Sequence, residues 1–194
     1  MSSPMLQAVR PDALAARREE IRDTIPLGST DRLAGLVREV STRCDREVPG
    51  DWERWPLAVE LDFERRQVEG SQPVPAVTGT ARVTLPLVCE RCLGLMELAL
   101  AADIAFLLPD ADMTDEALPG FEVWPVEDRG VRLLDLVEEE LLLALPLALM
   151  HEDRSRCRPV TEHYATDEAE AEPETQRPFS ALKALLREDE DQGE

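Results

Sequence analysis

Lysine is almost missing from this chain of 194 residues: Lys183 is the only one, and every other cation is an arginine. A diffuse lysine surface is therefore excluded, whereas the planar guanidinium of arginine suits a few bidentate contacts to carboxylate or phosphate. Cations as a whole are scarce, 21 against 41 acids for a net charge of -20. Such a field repels the phosphate backbone that dominates nucleic-acid affinity. Broad RNA or DNA binding is disfavoured, and a basic protein partner is the easier match.

Other absences narrow the class. No stretch approaches the roughly 20 apolar residues of a membrane helix, and residues 1–10 lack an apolar run before a small-residue cleavage site. The expectation is a cytoplasmic protein with no membrane partner. No glycine-rich loop ends in Lys-Ser/Thr, so nucleotide hydrolysis has no residues to carry it, and no internal repeat suggests a solenoid. No pair of carboxylates or acidic metal cluster marks a nuclease. Four cysteines in a reducing compartment do not make a disulfide framework.

What is present reads as an α+β fold, an antiparallel sheet packed by a leucine-rich helix. The spacing of Leu33, Leu36, Val37 and Val40, with Ser29, Thr30 and Asp31 as N-cap oxygens, predicts a helix over residues 29–44 in an N-terminal helical region 1–50. Alternation of Trp55, Leu57, Val59, Leu61 and Phe63 begins a sheet spanning 55–126, continued by strands at 77–88, 96–108 and 121–126. An acidic loop at 110–120 is expected to be exposed. The stripe Leu134, Val137, Leu141 and Leu145 predicts a helix over 131–145, ended by Pro146. A Cys/His extension at 146–164 leaves as an extended segment and closes a single domain, 1–164. Residues 165–194 carry ten acids and three bases; they read as an acidic linker to 178 followed by a short amphipathic helix at 179–187, built to dock.

Four blocks carry a resemblance: Leu85-Pro-Leu-Val-Cys89-Glu-Arg-Cys92-Leu-Gly, then Leu134-Asp-Leu-Val-Glu-Glu-Glu-Leu-Leu-Leu-Ala-Leu-Pro146, then His151 with Cys157, then Pro178-Phe179-Ser-Ala-Leu-Lys-Ala-Leu. In this order they resemble the YceD family, the large ribosomal RNA subunit accumulation proteins. Leu149 stands where the family often has proline, and Arg132 where an acidic helix-capping residue is usual. The resemblance implies a role in accumulation, processing or stability of large-subunit ribosomal RNA, and brings no catalytic residues with it.

Cys89 and Cys92 are spaced so that a tight turn aims two thiolates at one point, and His151 with Cys157 would complete a tetrahedral N/S shell for zinc. The competing reading makes both cysteines small apolar fillers of a hairpin tip. Redox chemistry fits less well, because strands rather than a helix N-terminus flank the pair. Cys44 lies outside every block and is left out of the site.

Arg154, Arg156 and Arg158 form the densest positive stretch, with Arg91 nearby if the cysteines meet; RNA or partner contact is placed there, against a neutralised surface strand as the alternative. Glu138, Glu139 and Glu140 offer a face for a basic ribosomal or processing protein, or are a solvated helix face. The expectation is a non-enzymatic factor bound to pre-ribosomal large-subunit RNA, a ribonucleoprotein or a basic protein. Two rivals stay open: an RNA-processing enzyme, and a zinc-binding structural or adaptor protein unconnected with ribosomal RNA.

Overall fold

The structure, a computed structural model, describes residues 3–43, 48–67, 72–110 and 119–157. The chain divides into two compact units, 1–160 and 161–194, and the described residues all lie in the first. Cys44, Arg158, most of the acidic loop, the acidic linker and the terminal amphipathic segment lie outside them.

Strands β1 (Ala8–Val9), β2 (Glu20–Pro26), β3 (Pro56–Arg66), β4 (Val74–Val88), β5 (Leu95–Leu107), β6 (Glu122–Val123) and β7 (Val131–Arg132) combine with helices α1 (Pro11–Arg17), α2 (Arg32–Arg43) and α3 (Leu133–Leu143). Five strands form the main sheet in the order β2-β3-β4-β5-β6, and β1 pairs with β7 in a small second sheet. The α+β expectation holds.

Alternation builds the sheet. Leu57, Val59, Leu61 and Phe63 of β3 are buried, and so are Val77, Ala81, Val83 and Leu85 of β4 and Leu100, Ile104 and Phe106 of β5. They share one core with Leu33, Ala34 and Val37 of α2 and Leu133, Leu134, Val137 and Leu141 of α3. Each fully buried leucine or valine contributes about 1.5–3 kcal/mol. The intervening residues Ala58, Glu60, Asp62, Ala99, Ala101 and Asp103 are exposed, so the opposite face of the sheet is open there, while at its far end Val74, Ala76 and Leu107 pack with Phe121. Gly79 sits in β4 because a Cβ there would lie 1.9 Å from the Glu60 carbonyl oxygen of β3.

Three expectations are corrected. The sheet begins at β2, inside the region read as helical, since Ile21 and Ile25 are buried while Glu20, Arg22 and Thr24 pair along β3 in solvent. The last strand, β6, is two residues long and parallel to β5, pairing Glu122 with Phe106 and Val123 with Leu107. The leucine-rich helix starts two residues late because Val131 and Arg132 pair with Val9 and Ala8 of β1.

A buried carboxylate joins the helices. Glu138 of α3 has no exposed surface, and its Oε1 accepts hydrogen bonds from the backbone N–H groups of Arg32 at 2.7 Å and Leu33 at 2.9 Å. Those are orphan donors of the first turn of α2, where the helix dipole also favours negative charge. The local hydroxyl of Thr30 accepts only from Ala34 N–H, at 3.0 Å. Glu138 is thus withdrawn from the partner face read from the sequence, and Glu139 and Glu140 remain on it. Arg132, bridged to Asp31 at 2.7 Å and to Asp135 at 2.5 Å, ties the entries of α2 and α3 together at the surface. The hydrogen bonds it donates to Asp135 and then to Asp31 strengthen its hold on the proton.

Glu138→Ala should therefore lower the unfolding free energy by about 1–3 kcal/mol, because two buried N–H groups lose their acceptor. Glu139→Ala, which removes only a half-exposed pairing with Arg32, should change it by about 0.5 kcal/mol or less. Urea unfolding of the purified variants, followed by circular dichroism, measures both.

Candidate metal centre

The turn between β4 and β5 is built around its sulfurs. Cys89 N–H donates to the Gly94 carbonyl at 2.9 Å, and Leu93 N–H donates to the Cys89 carbonyl at 2.8 Å. Closing so tight a loop forces Leu93 into left-handed backbone, φ 54°, at a cost of about 1–2 kcal/mol for an L-residue. Gly94 then passes close under the sulfur: a Cβ there would be 3.3 Å from Cys92 Sγ. Both thiols are buried, packed with Met96.

The chain returns to this turn after α3. Past the helix end it forms an arm, residues 144–157, in which the Leu149 carbonyl accepts from Glu90 N–H at 2.7 Å. The expected extended segment is interrupted by one 3-10 turn, Arg154–Arg156, capped by Asp153, whose Oδ1 accepts from Ser155 N–H at 2.8 Å. The Ser155 hydroxyl, and after it that backbone hydrogen bond, lowers the carboxyl pKa of Asp153. The turn delivers Cys157 to the site.

Four side chains converge. The ligand atoms of Cys89, Cys92, His151 and Cys157 all lie within 4.8 Å of one another. Cys89 Sγ is 3.9 Å from Cys157 Sγ, and His151 Nδ1 is 3.6 Å from both Cys92 Sγ and Cys157 Sγ. All three cysteines are free thiols. Two donors are buried and two half-buried, so the cluster is a Cys3His set that could hold a metal ion.

The electrostatics favour anionic sulfur. Burial pushes the Cys89 thiol up, but backbone hydrogen bonds from His151, Cys92 and Arg91, with the His151 side chain, outweigh it and bring the thiol down to about 6. Cys157 moves the other way, raised by burial and by hydrogen bonding and charge from Cys92 and Cys89. Crowded thiols cannot all ionise without a cation among them.

Of the arginines read from the sequence, Arg91 is brought to the cluster, with Nη1 3.7 Å from Cys157 Sγ and Nη2 3.2 Å from Met150 Sδ. Arg154 and Arg156 are exposed on the 3-10 turn. Arg156 also lines a cleft beside the site, together with Met96, Glu97, Ala99, Met150 and Glu152. On the helix, Glu140 is partly buried and its carboxyl pKa is raised, first by burial and then by the charges of Glu122 and Glu139. Sequence reasoning missed Leu93, Gly94 and Met150, although a glycine two residues past the second cysteine is a turn signal.

Residues 77–186 match the family model of the large ribosomal RNA subunit accumulation protein YceD, more than half of the chain. The match runs through β4, the cysteine turn, β5, α3 and the arm, and so contains all four donors. No solved structure matches the chain. On this match the chain belongs to the YceD family, whose name ties it to the accumulation of large-subunit ribosomal RNA.

Proposed function

We propose that this protein is a non-enzymatic factor in the synthesis, processing or stability of large-subunit ribosomal RNA, and that a structural zinc ion held by Cys89, Cys92, His151 and Cys157 fixes the surface it uses. The observation that carries the proposal is the spacing of the four donors. A tetrahedral zinc with Zn–S of about 2.3 Å and Zn–N of about 2.0 Å sets its sulfurs about 3.8 Å apart and sulfur from nitrogen about 3.5 Å apart. The cluster has 3.9 Å between the Cys89 and Cys157 sulfurs and 3.6 Å from His151 Nδ1 to the sulfurs of Cys92 and Cys157, with every pair of donors within 4.8 Å. Four protein ligands leave no open position for a substrate or water, which suits a structural ion rather than a catalytic one.

Three thiolates around a divalent ion leave one negative charge, and Arg91 stands where it offsets that charge. Arg154 and Arg156, held by the arm, are the proposed contacts to ribosomal RNA phosphates; Arg158 joins them from the sequence alone. Arginine at a few fixed points gives a local contact on a protein too acidic for diffuse binding. Glu139 and Glu140 form the proposed face for a basic ribosomal or processing protein. The work is placed in the cytoplasm, with no membrane or DNA partner.

The purified protein should carry about one zinc per chain. Ligands bind zinc as thiolate and neutral imidazole, so acid weakens binding. Because the Cys157 thiol is raised, binding near neutral pH should expel a proton, and affinity should fall by about tenfold per pH unit for each proton displaced. The fall should steepen below about pH 6, where Cys89 also protonates. Competition with a chromogenic chelator across that range measures it; a flat profile contradicts the thiolate site.

Ribosomal subunit and RNA profiling tests the function. Deletion should deplete large-subunit relative to small-subunit RNA, and Cys89→Ser with Cys92→Ser, at matched protein level, should copy the deficit. A deletion with normal ribosomal RNA sinks the reading, and precursor RNA cleaved by the pure protein would make it an enzyme.

A further inference from the structure

We propose that the open edge of β5, residues 95–105, receives an extended, basic segment of a partner protein as an added strand, and that one end of this segment runs into the cleft between β5 and the arm. The edge itself stands independently of the metal reading; the arm side of the cleft rests on it.

Strand β5 pairs with β4 over its whole length, Leu95 to Leu107, but β6 covers its other side only at Phe106 and Leu107. Among the described residues no other backbone hydrogen bond reaches positions 95–105 on that side. A row of unpaired N–H and C=O groups of this length is a template for another strand, and natural sheets blunt such edges with short strands, proline or lysine. The opposite edge follows that pattern: β2 is seven residues long, carries Arg22 and Asp23, and ends in Pro26. The β5 edge has no proline and no lysine over 13 residues. Its only charges are Glu97 and Asp103, both exposed and both negative.

Those two acids select the occupant. A strand added to β5 sets alternate side chains beside Glu97 and Asp103 on the open face of the sheet, where opposite charges stabilise and like charges destabilise. Where the arm walls the cleft with Met96, Leu98, Ala99 and Met150, Glu152 adds a third acid and Arg156 a single base, so acids still outnumber bases along the edge. A second copy of this chain fits badly, because antiparallel pairing centred on Leu100 would set Glu97 against Asp103. Residues 165–194 carry ten acids against three bases, but Arg177, Lys183 and Arg187 all fall in the acid-free stretch 177–187, so this segment is the rival occupant that a peptide of the tail tests. An extended segment with lysine or arginine at alternate positions and apolar residues between is the complementary chemistry.

The test uses the full-length protein with its metal content measured on the same samples. The probes are overlapping peptides covering the large-subunit ribosomal proteins of the same cell, with a peptide of residues 161–194 and a single-stranded RNA oligomer alongside. Binding is read by fluorescence polarisation and located by amide hydrogen exchange. Peptides with alternating basic residues should bind and protect amides of residues 95–105. Glu97→Lys with Asp103→Lys should weaken them by about tenfold, while Glu60→Lys with Asp62→Lys, on the same face but two strands away, should stay within about twofold. The proposal is overturned if no ribosomal peptide binds, if charge reversal at 97 and 103 leaves binding unchanged, or if the Glu60/Asp62 pair matters equally. Tighter binding of the 161–194 peptide or of the RNA oligomer overturns it too, by naming a different occupant. Metal-free protein that still binds at the edge removes the metal reading and leaves the edge standing.

Discussion

His151 and Cys157 meet the Cys89 and Cys92 turn at one point, and the position of the arm, residues 144–157, depends on that meeting. The rest of its hold is modest: Leu145 and Leu149 pack half-buried on the main core, Glu90 N–H donates to the Leu149 carbonyl, and Arg91 reaches Met150, while Leu147 is fully exposed. Bringing His151 to Cys92 closes a loop of 59 residues, and closure of that kind gains most from a strong clip at its ends. The proposed metal ligation would supply such a clip.

The start of the arm is fixed by a different interaction. Six residues of α3 are buried, Glu138 among them, and the Glu138 carboxylate caps α2 while Leu134, Val137 and Leu141 fill the core over the sheet. The helix therefore cannot slide along its axis without breaking a buried hydrogen-bonded contact. A rigid helix end at one side and a sulfur cluster at the other hold Arg154 and Arg156 in one place.

Much of this was legible in the sequence, for reasons that also explain the failures. Strands β3, β4 and β5 are half-buried, so their period of two is written in Leu57, Val59, Leu61 and Phe63 and their partners. Strand β2 was not legible, because an edge strand with Ile21 and Ile25 as its only inward residues barely shows a period. The direction of β6 leaves no trace in two residues. Among site residues, Cys89, Cys92, His151 and Cys157 could be grouped because cysteine and histidine at these spacings have few common uses. Glu138 could not be separated from Glu139 and Glu140, since its burial depends on where α2 begins, a fact of tertiary packing. Arg91 was expected near the arginine stretch if the cysteines met, and its Nη1 lies 3.7 Å from Cys157 Sγ.

The most direct test of the central claim, that a metal ion closes this cluster, is X-ray absorption at the zinc edge on the purified full-length protein. The expected first shell is three sulfurs at about 2.3 Å and one nitrogen at about 2.0 Å. Protein that is folded and free of metal, or zinc held by oxygen and nitrogen alone, would contradict the account.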